Sequence, residues 1–341
     1  AWRKGSFPPV QGGWSCTKSL LVILTQSVGR PAASSKIVGV SAWTRQVHQQ
    51  ISETARHNAN VMITGPTGTG KEMIAKAIHQ MSSRSHRPFV GVDCVAIPQE
   101  LFESELFGYE KGAFTGASGQ RNGLLSEADK GTFFLDEVTE IDYATQAKLL
   151  RVLQERKFRR VGGRELVDID IRVLAATRRD PLQAVKEGVF REDLFYRLNV
   201  LPIHLPPLRE RQEDIPLIVE SIIEGHRQEY DIDMEIDIDA LLKLQSYRWP
   251  GNIRELKNII TRLCIMASNS RITLGDLPKD ICDYSNDCVN FEWLSHLKYK
   301  EAKDRWLEGF DLNYIDFVLK RYKGNVSKAA RNSGVNRKTF Q

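Results

Sequence analysis

The pattern of hydrophobic positions divides the chain into an α/β region followed by a helical region. Four strands are predicted from short apolar runs, at 61–64, 89–92, 132–135 and 169–176. The run at 132–135 is apolar throughout, so we expect it to be central in its sheet. After the first strand, apolar residues at helical spacing predict a helix through Ile74, Ala77, Ile78 and Met81. Strands that alternate with helices indicate a parallel sheet covered on both faces.

The order of these segments predicts five parts along the chain. Pro202, Pro206 and Pro207 close the α/β domain, and a mostly helical pattern follows them. The expected parts are a basic, disordered leader at 1–36, an α/β domain at 37–208, an all-α domain at 209–282, a polar linker at 283–298 and a small helical unit at 299–341.

Composition limits the function classes without choosing among them. The 341 residues carry a net charge of +5, which permits contact with nucleic acid but does not demonstrate it. The five cysteines form no CxxC pair and have no histidine at metal-ligand spacing, which argues against structural zinc and against a disulfide framework. No apolar run approaches the roughly 20 residues of a membrane-spanning helix. We therefore expect a protein of a reducing cytoplasm without a membrane partner.

A glycine-rich loop between the first predicted strand and helix has the spacing of a phosphate-binding loop. Its main-chain amides are expected to converge on phosphate oxygens, assisted by the N-terminus of the following helix. The lysine of this pattern neutralises the β- and γ-phosphates. The next residue is glutamate rather than serine or threonine, so the usual hydroxyl ligand of Mg²⁺ is absent there. We predict a nucleotide site formed by Gly65, Pro66, Thr67, Gly68, Thr69, Gly70, Lys71 and Glu72.

Two adjacent carboxylates follow the apolar run at 132–135. Residues at the carboxyl end of a parallel strand face the ligand crevice of such a sheet. We predict that Asp136 holds Mg²⁺ through water and that Glu137 polarises the water that attacks the γ-phosphate. The alternative is an acidic turn that water solvates and that has no role in catalysis.

A second glycine-rich segment carries an aromatic ring between two Gly-Ala pairs. It consists of Gly112, Ala113, Phe114, Thr115, Gly116 and Ala117. An apolar ring on a glycine-flanked loop is typical of a surface that contacts another molecule. The alternative is a tight turn whose ring folds back onto the core. The neighbouring nucleotide loop and carboxylate pair favour the first interpretation.

The run at 103–117, which reads ESELFGYEKGAFTGA, resembles the signature of the NtrC-like AAA+ activators of sigma-54 RNA polymerase. The resemblance covers about 37–280 and extends more weakly to the C-terminus. It implies the fold of a AAA+ P-loop NTPase with an all-α lid. It further implies a bacterial cytoplasmic protein that hydrolyses ATP with Mg²⁺ and that works as a ring, which is a hexamer by family analogy. It also implies that Phe114 and Thr115 contact sigma-54 when the closed promoter complex is remodelled into an open one.

The same resemblance assigns further residues of the ATPase. The segment 190–198 resembles the one that holds the arginine fingers, which maps them onto Arg191 and Arg197. The segment 249–256 resembles the lid motif, which makes Arg254 a sensor of nucleotide. Taken alone, the two finger arginines are typical of surface ion pairs. The lid motif also fits a helix start with Asn252 as its N-cap and a capping-box glutamate three residues later, and both interpretations can hold together.

Two positions depart from the common family pattern. Asp93 stands where an asparagine usually restrains the catalytic glutamate, so it is expected to repel Glu137 or to accept a proton. Arg178 stands where the first sensor is often asparagine, and it is longer and always charged. These changes affect the expected coupling of hydrolysis to loop movement, and they leave the ATPase assignment intact.

The C-terminal segment 322–340 resembles a Fis-type helix-turn-helix, which implies binding to enhancer DNA. The alternative is a small helical cap with a basic face. The chain stops at Gln341, so we expect a truncated DNA-reading surface. The first 36 residues are too few for a sensor domain, which predicts either a naturally short activator or a fragment of a longer one. The residues that open the expected recognition helix are Asn336, Arg337, Lys338 and Thr339.

Two rival functions remain open at this point. The first is a AAA+ remodelling ATPase that acts on another protein, against which the loop at 112–117 and the helix-turn-helix both argue. The second is a nucleotide-binding DNA regulator in which Asp93 and Arg178 have disabled turnover.

Overall fold

The computed structural model describes residues 37–230, 234–266 and 270–284. The expected leader at 1–36 and the expected helix-turn-helix lie outside these residues, and so does almost all of the predicted linker. The assignments of Asn336, Arg337, Lys338 and Thr339 to DNA binding therefore stay predictions, as do the domain boundaries.

Eleven strands lie in the described part of the chain, and five of them form one parallel sheet of order β2-β5-β8-β1-β9. In chain order the strands are β1 (Val61–Thr64), β2 (Phe89–Asp93), β3 (Gly108–Tyr109), β4 (Arg121–Asn122), β5 (Thr132–Asp136), β6 (Lys157–Phe158), β7 (Val167–Asp168), β8 (Arg172–Thr177), β9 (Leu201–His204), β10 (Glu235–Ile236) and β11 (Arg271–Ile272). The predicted parallel α/β sheet is confirmed.

The sheet differs from the sequence prediction in three details. The run at 132–135 lies inside the sheet as β5, but the middle strand is β8. That strand begins at Arg172, later than the predicted 169. Strand β9 was not predicted, because Pro202 lies within it. A proline is tolerated there since β9 is an edge strand that pairs only with β1.

Eleven α-helices accompany the strands within the described residues. In chain order they are α1 (Ala42–Ala55), α2 (Lys71–Gln80), α3 (Gln99–Phe107), α4 (Leu124–Glu127), α5 (Tyr143–Glu155), α6 (Pro181–Lys186), α7 (Glu192–Leu198), α8 (Ile215–Tyr230), α9 (Ile238–Ser246), α10 (Asn252–Met266) and α11 (Lys279–Cys282). Side chains that alternate along β5 bury Phe133 and Leu135 in one core and Phe134 in the core on the opposite face. Helices therefore cover both faces of the sheet.

The helical region has a core of its own. Helices α8, α9 and α10 pack around the buried side chains of Leu208, Val219, Trp249 and Leu256. The two-residue strands β10 and β11 pair in parallel beside these helices, which the prediction of a purely helical domain did not include. The region corresponds to the lid expected from the sequence.

Two small antiparallel hairpins project from the α/β region. Strands β3 and β4 form the first, and they flank the segment with the exposed phenylalanine. Strands β6 and β7 form the second, which follows α5. Both hairpins follow helices that begin beyond the carboxyl edge of the sheet.

Candidate nucleotide site and loop

The glycine-rich loop lies between β1 and α2, as predicted. Gly65, Gly68 and Gly70 have φ angles of 155°, 78° and 101°, which residues other than glycine rarely adopt. A Cβ atom at Gly68 would also overlap the carbonyl oxygen of Gly251, in the turn before α10. The three glycines therefore allow both the turn and its close approach to the lid.

Lys71 lies at the first turn of α2 and is buried, with 6% of its surface exposed. Its Nζ atom donates to the carbonyl oxygen of Gly65 at 3.1 Å. The same atom lies 3.4 Å from Oε1 of Glu137. Lys71, which is predicted to bind phosphate, therefore forms an ion pair with Glu137, the predicted catalytic carboxylate.

Asp136 and Glu137 lie at the carboxyl end of β5, as predicted. Burial raises the pKa of Asp136, the nearby Lys71 opposes this effect, and Glu137 adds to it. Glu137 has a φ angle of 55°, in the left-handed region, and its Oε2 atom accepts the main-chain N–H of Arg178 at 2.9 Å. The glutamate is therefore held between Lys71 and the end of β8, and it is not a freely solvated turn residue.

The two departures from the family pattern, Asp93 and Arg178, both form hydrogen bonds at the carboxyl edge of the sheet. Asp93 is exposed, and its Oδ1 atom accepts the main-chain N–H of Val95 at 2.9 Å. It pairs in register with Asp136, and its charge contributes to the raised pKa of that residue. Arg178 meets Glu137 through its main chain, whereas its guanidinium lies 3.8 Å from Glu140.

The position after the lysine contributes no metal ligand in this arrangement. Glu72 is exposed and forms an ion pair with Lys76 at 2.6 Å on the outer side of α2. No cluster of three or more His, Cys, Asp or Glu side chains suited to a metal lies in the described ranges. Asp136 remains as a carboxylate that fits Mg²⁺ held jointly with nucleotide phosphates and water.

Of the two predicted fingers, Arg197 lies on α7 and Arg191 immediately precedes this helix, and both contact residues other than Lys71 and Glu137. Two guanidinium nitrogens of Arg191 donate to Asp193 at 3.0 and 2.8 Å, and its Cζ atom lies 5.0 Å from the ring centroid of Tyr143. Arg197 is exposed and donates to the carbonyl oxygen of Leu153 at 2.9 Å. Arg191 thus forms the surface ion pair that the alternative interpretation expected, and both arginines remain accessible.

The lid motif does begin a helix, but Asn252 is not its cap. Asn252 is the first residue of α10, has a φ angle of 54°, and accepts the buried main-chain N–H of Leu208 at 2.7 Å. Glu255 instead accepts the N–H of Gly251 at 2.8 Å. The exposed Arg254 contacts the loop with its main chain, 3.3 Å from the carbonyl oxygen of Gly68.

The segment 112–117 forms a tight loop between β3 and β4. Gly112 and Gly116 have φ angles of 83° and 104°, and the N–H of Gly112 donates to the carbonyl oxygen of Ala117 at 2.9 Å. Phe114 remains 43% exposed. Its ring packs against that of Tyr109 in an edge-on arrangement, at a centroid distance of 4.9 Å. The ring therefore does not fold back onto the core.

The second hairpin supports this loop. The N–H of Glu110 donates to the carbonyl oxygen of Val161 at 3.0 Å, and Arg160 bonds both Glu110 at 3.2 Å and Asn122 at 3.1 Å. A Cβ atom at Gly162 would lie 2.8 Å from the Cβ of Ala113. The base of the loop is thus fixed while its tip is exposed.

Sequence reasoning missed a buried charged pair that joins α1, the loop and the lid. Asp214 is fully buried and accepts hydrogen bonds from Val40, Ser41 and Thr44. Arg211 is 4% exposed, and its Cζ atom lies 4.7 Å from the ring centroid of Trp43. Both residues belong to a charged run that is expected to be solvated, so the sequence carried no signal of their burial.

Residues 37–204 match the model of the Sigma-54 interaction domain, and residues 209–289 match that of the AAA+ ATPase lid domain. A Nif-specific regulatory protein of Azotobacter vinelandii is 49% identical over 245 residues, which are 72% of this chain and 47% of that protein. The DNA-binding transcriptional regulator NtrC of Azospirillum brasilense is 39% identical over 339 residues, 93% of this chain and 70% of that protein. The chain belongs to the family of sigma-54-dependent activators.

A solved structure agrees with this assignment. NtrX from Brucella abortus in complex with ATP has a TM-score of 0.66 and 36% identity, over 95% of this chain and 70% of that one. The predicted fold class, a AAA+ P-loop NTPase with a helical lid, is confirmed, and the family is one of ATPases. The chain spans less than two thirds of the length of some of its relatives, 47% of the Azotobacter protein and 62% of the AtoC regulatory protein of Escherichia coli.

Proposed function

We propose that this protein hydrolyses ATP and uses the energy to remodel closed complexes of sigma-54 RNA polymerase into open ones. The observation that carries the proposal is the 43% exposure of Phe114 on a loop with a fixed base. The loop belongs to a domain that also holds the nucleotide site. A rigid base and an exposed apolar tip suit a loop that presses on a partner.

The ATP side of the proposal rests on the residues at the carboxyl edge of the sheet. Lys71 and the loop amides bind the β- and γ-phosphates. ATP withdraws Lys71 from its ion pair, which frees Glu137 to accept a proton from the attacking water while the N–H of Arg178 orients the carboxylate. Asp136 would hold Mg²⁺ through water, and the ion would supply charge neutralisation on the phosphates.

The proposal includes a ring of identical subunits with ATP between neighbours. Arg191 immediately precedes α7 and Arg197 lies on it, and their hydrogen bonds go to Asp193 and Leu153 rather than to Lys71 or Glu137 of their own subunit. Beside them Tyr196 is 65% exposed, an aromatic side chain of the kind enriched at interfaces. Fingers from a neighbour stabilise charge on the transferring phosphoryl group. The hexameric number follows from family analogy.

The remaining parts of the proposal rest on the sequence. Enhancer DNA is assigned to Asn336, Arg337, Lys338 and Thr339, beyond the described residues. Arg254 is assigned to sensing nucleotide, and Thr115 accompanies Phe114 at the sigma-54 contact.

In the portion of the chain that the structure describes, no helix has the length and apolarity that a bilayer crossing needs. We assign the protein to the bacterial cytoplasm.

The loop assignment is tested with Phe114→Ala and a matched control, Leu242→Ala, which removes a 57% exposed apolar side chain from the lid. Phe114→Ala should keep ATP turnover within about twofold and lose open-complex formation, because the exposed ring takes no part in the core. The control should keep both activities. Loss of ATP turnover in Phe114→Ala would make the ring part of the fold, and full promoter opening would exclude it as the contact.

The rival functions separate in one titration of ATP turnover against protein concentration. Nucleotide binding with no turnover at any concentration would indicate a DNA regulator. Turnover that rises with concentration, without capture of sigma-54 in the presence of a transition-state analogue of ATP, would indicate a remodeller of another protein. Turnover that rises with concentration together with capture supports the proposal.

A further inference from the structure

Every main-chain carbonyl of the loop from Gly65 to Gly70 has a hydrogen-bond donor. Three of these bonds are made within the loop and its helix. Lys71 donates to the oxygen of Gly65 at 3.1 Å, and the hydroxyl of Thr69 donates to the oxygen of Pro66 at 2.8 Å. The N–H of Ile74 donates to the oxygen of Gly70 at 3.2 Å, as the first turn of α2 requires. The three carbonyls between them receive their donors from elsewhere.

Those three donors all come from the lid side of the molecule. Asn252 Nδ2 donates to the oxygen of Thr67 at 2.9 Å. The N–H of Arg254 donates to the oxygen of Gly68 at 3.3 Å. A guanidinium nitrogen of Arg211 donates to the oxygen of Thr69 at 2.9 Å. One consecutive stretch of the loop is therefore bonded, residue by residue, to the lid.

These bonds are enclosed. Asn252 is 2% exposed and uses its other side-chain atom to accept the N–H of Leu208. Arg211 is 4% exposed and lies over the ring of Trp43. Neither side chain can leave its acceptor without leaving a buried polar atom unsatisfied, which costs about 1–3 kcal/mol.

The direction of these carbonyls determines the direction of the amides. In a planar trans peptide the C=O and the following N–H point in opposite directions. Carbonyls of Thr67, Gly68 and Thr69 that are held toward the lid therefore turn the next three amides away from it. Those amides, of residues 68 to 70, are the donors that a phosphate-binding loop offers to its ligand.

We infer that Asn252 and Arg211 are positioning residues that make the phosphate cradle and the lid one mechanical unit. The inference rests on the proposed binding of ATP by this loop. Because the lid orients the cradle, phosphate binding and lid orientation are linked, and each must change the other by the same free energy. The lid thus responds to nucleotide through the outer side of the loop, independently of any contact that the side chain of Arg254 makes with it.

The test uses the full chain with Asn252→Ala and Arg211→Lys, beside Asn258→Ala and Arg209→Lys as controls. The control residues are exposed neighbours on α10 and before α8. Arg211→Lys keeps the charge and loses the planar guanidinium that bonds Thr69 and stacks on Trp43. Calorimetric titration with ATP should give a dissociation constant about tenfold weaker for each test variant, and a change within about twofold for each control.

Hydrogen exchange separates positioning from a general loss of stability. In the wild type, ATP should slow amide exchange at 252–256, including the N–H that bonds Gly68. At saturating ATP the test variants should lose this slowing, while exchange in β5 and β8 stays as in the wild type. If Asn252→Ala does not fold, Arg211→Lys carries the test alone.

Two results would overturn the inference. One is a folded test variant that binds ATP within about twofold of the wild type. The other is ATP-dependent slowing at 252–256 that persists in the variants. Failure of the wild type to bind ATP would instead overturn the proposed function, and this inference with it. Wild-type ATP binding without sigma-54 capture would contradict the proposed activator role and leave the inference standing.

Discussion

Replacement of Asp214 by alanine tests how the start of the described domain is attached to the lid. The carboxylate accepts the main-chain N–H of Val40 at 2.6 Å and that of Ser41 at 2.7 Å. It also accepts the hydroxyls of Ser41 at 2.8 Å and Thr44 at 2.7 Å. All four donors precede or begin α1, so the substitution removes the acceptor that fixes the start of this helix.

The expected cost follows from which donors can find another partner. The hydroxyls of Ser41 and Thr44 already lie 3.1 Å apart and can bond each other. The amides of Val40 and Ser41 have no such alternative, and a hydrogen bond to a charged group contributes about 1.5–3 kcal/mol. Two such losses give about 3–6 kcal/mol. For a domain of this size that lowers the melting temperature by roughly 6–24 °C.

Thermal unfolding of the full chain without nucleotide measures this cost. Asp214→Asn should lose about half as much, because one carbonyl oxygen can still accept both amides. Glu213→Ala removes an exposed carboxylate at the adjacent position and should change the melting temperature by less than about 2 °C. Asp214 does not anchor the start of α1 in this way if Asp214→Ala melts within about 2 °C of the wild type, or if Glu213→Ala is destabilised equally.

Two further predictions concern catalysis and pH. Arg191→Ala should bind ATP and lose roughly 10³-fold in turnover. Mixing it with Lys71→Ala protein should restore turnover, because each variant supplies the residue that its neighbour lacks. If mixing restores no turnover, the arginine belongs to the site of its own subunit. Burial lowers the pKa of His79, and the nearby charge of Arg172 lowers it further. The unfolded chain therefore binds a proton at this histidine more readily than the folded chain does. The stability of the fold should consequently decrease as the pH drops below about 6.5. His79→Gln should reduce this loss in thermal melts while the exposed His86→Gln does not, and equal pH dependence in both would contradict the assignment.

Local motifs allowed the nucleotide site and the parallel sheet to be predicted. The glycine loop, Lys71 and the pair Asp136–Glu137 each need only their own strand end to be placed. What could not be predicted depends on distant contacts. Arg211 is buried only because Trp43 and the loop carbonyls meet it from other parts of the chain. Asn252 has a strong preference for caps, but the buried N–H of Leu208 requires its oxygen instead.

Arg178, which stands where the family often has asparagine, contacts Glu137 through its main chain rather than through its side chain. The expectation concerned its long, charged side chain in place of asparagine. The contact with Glu137 uses the main-chain N–H, which every residue except proline supplies. The guanidinium points to Glu140 instead. The hydrogen bond to Glu137 at position 178 therefore does not depend on which side chain stands there.

The connection from the nucleotide site to the loop follows two helices that leave the same edge of the sheet. After β2, α3 leads into β3; after β5, α5 leads into β6. Glu103 and Lys148 form an ion pair between these helices. The rings of Phe107 and Phe158 meet near their ends at a centroid distance of 6.2 Å.

The two hairpins that these helices reach are themselves bonded through Arg160. With about 1.5 Å of rise per residue, helices of 9 and 13 residues span roughly 13 and 20 Å. Under the proposed function, a displacement at the ends of β2 and β5 would therefore reach the base of the loop through these two joined helices. A loop held by only one of them could rotate about its attachment, whereas two attachments would convert movement of the site into the directed movement of Phe114 that the proposed function requires.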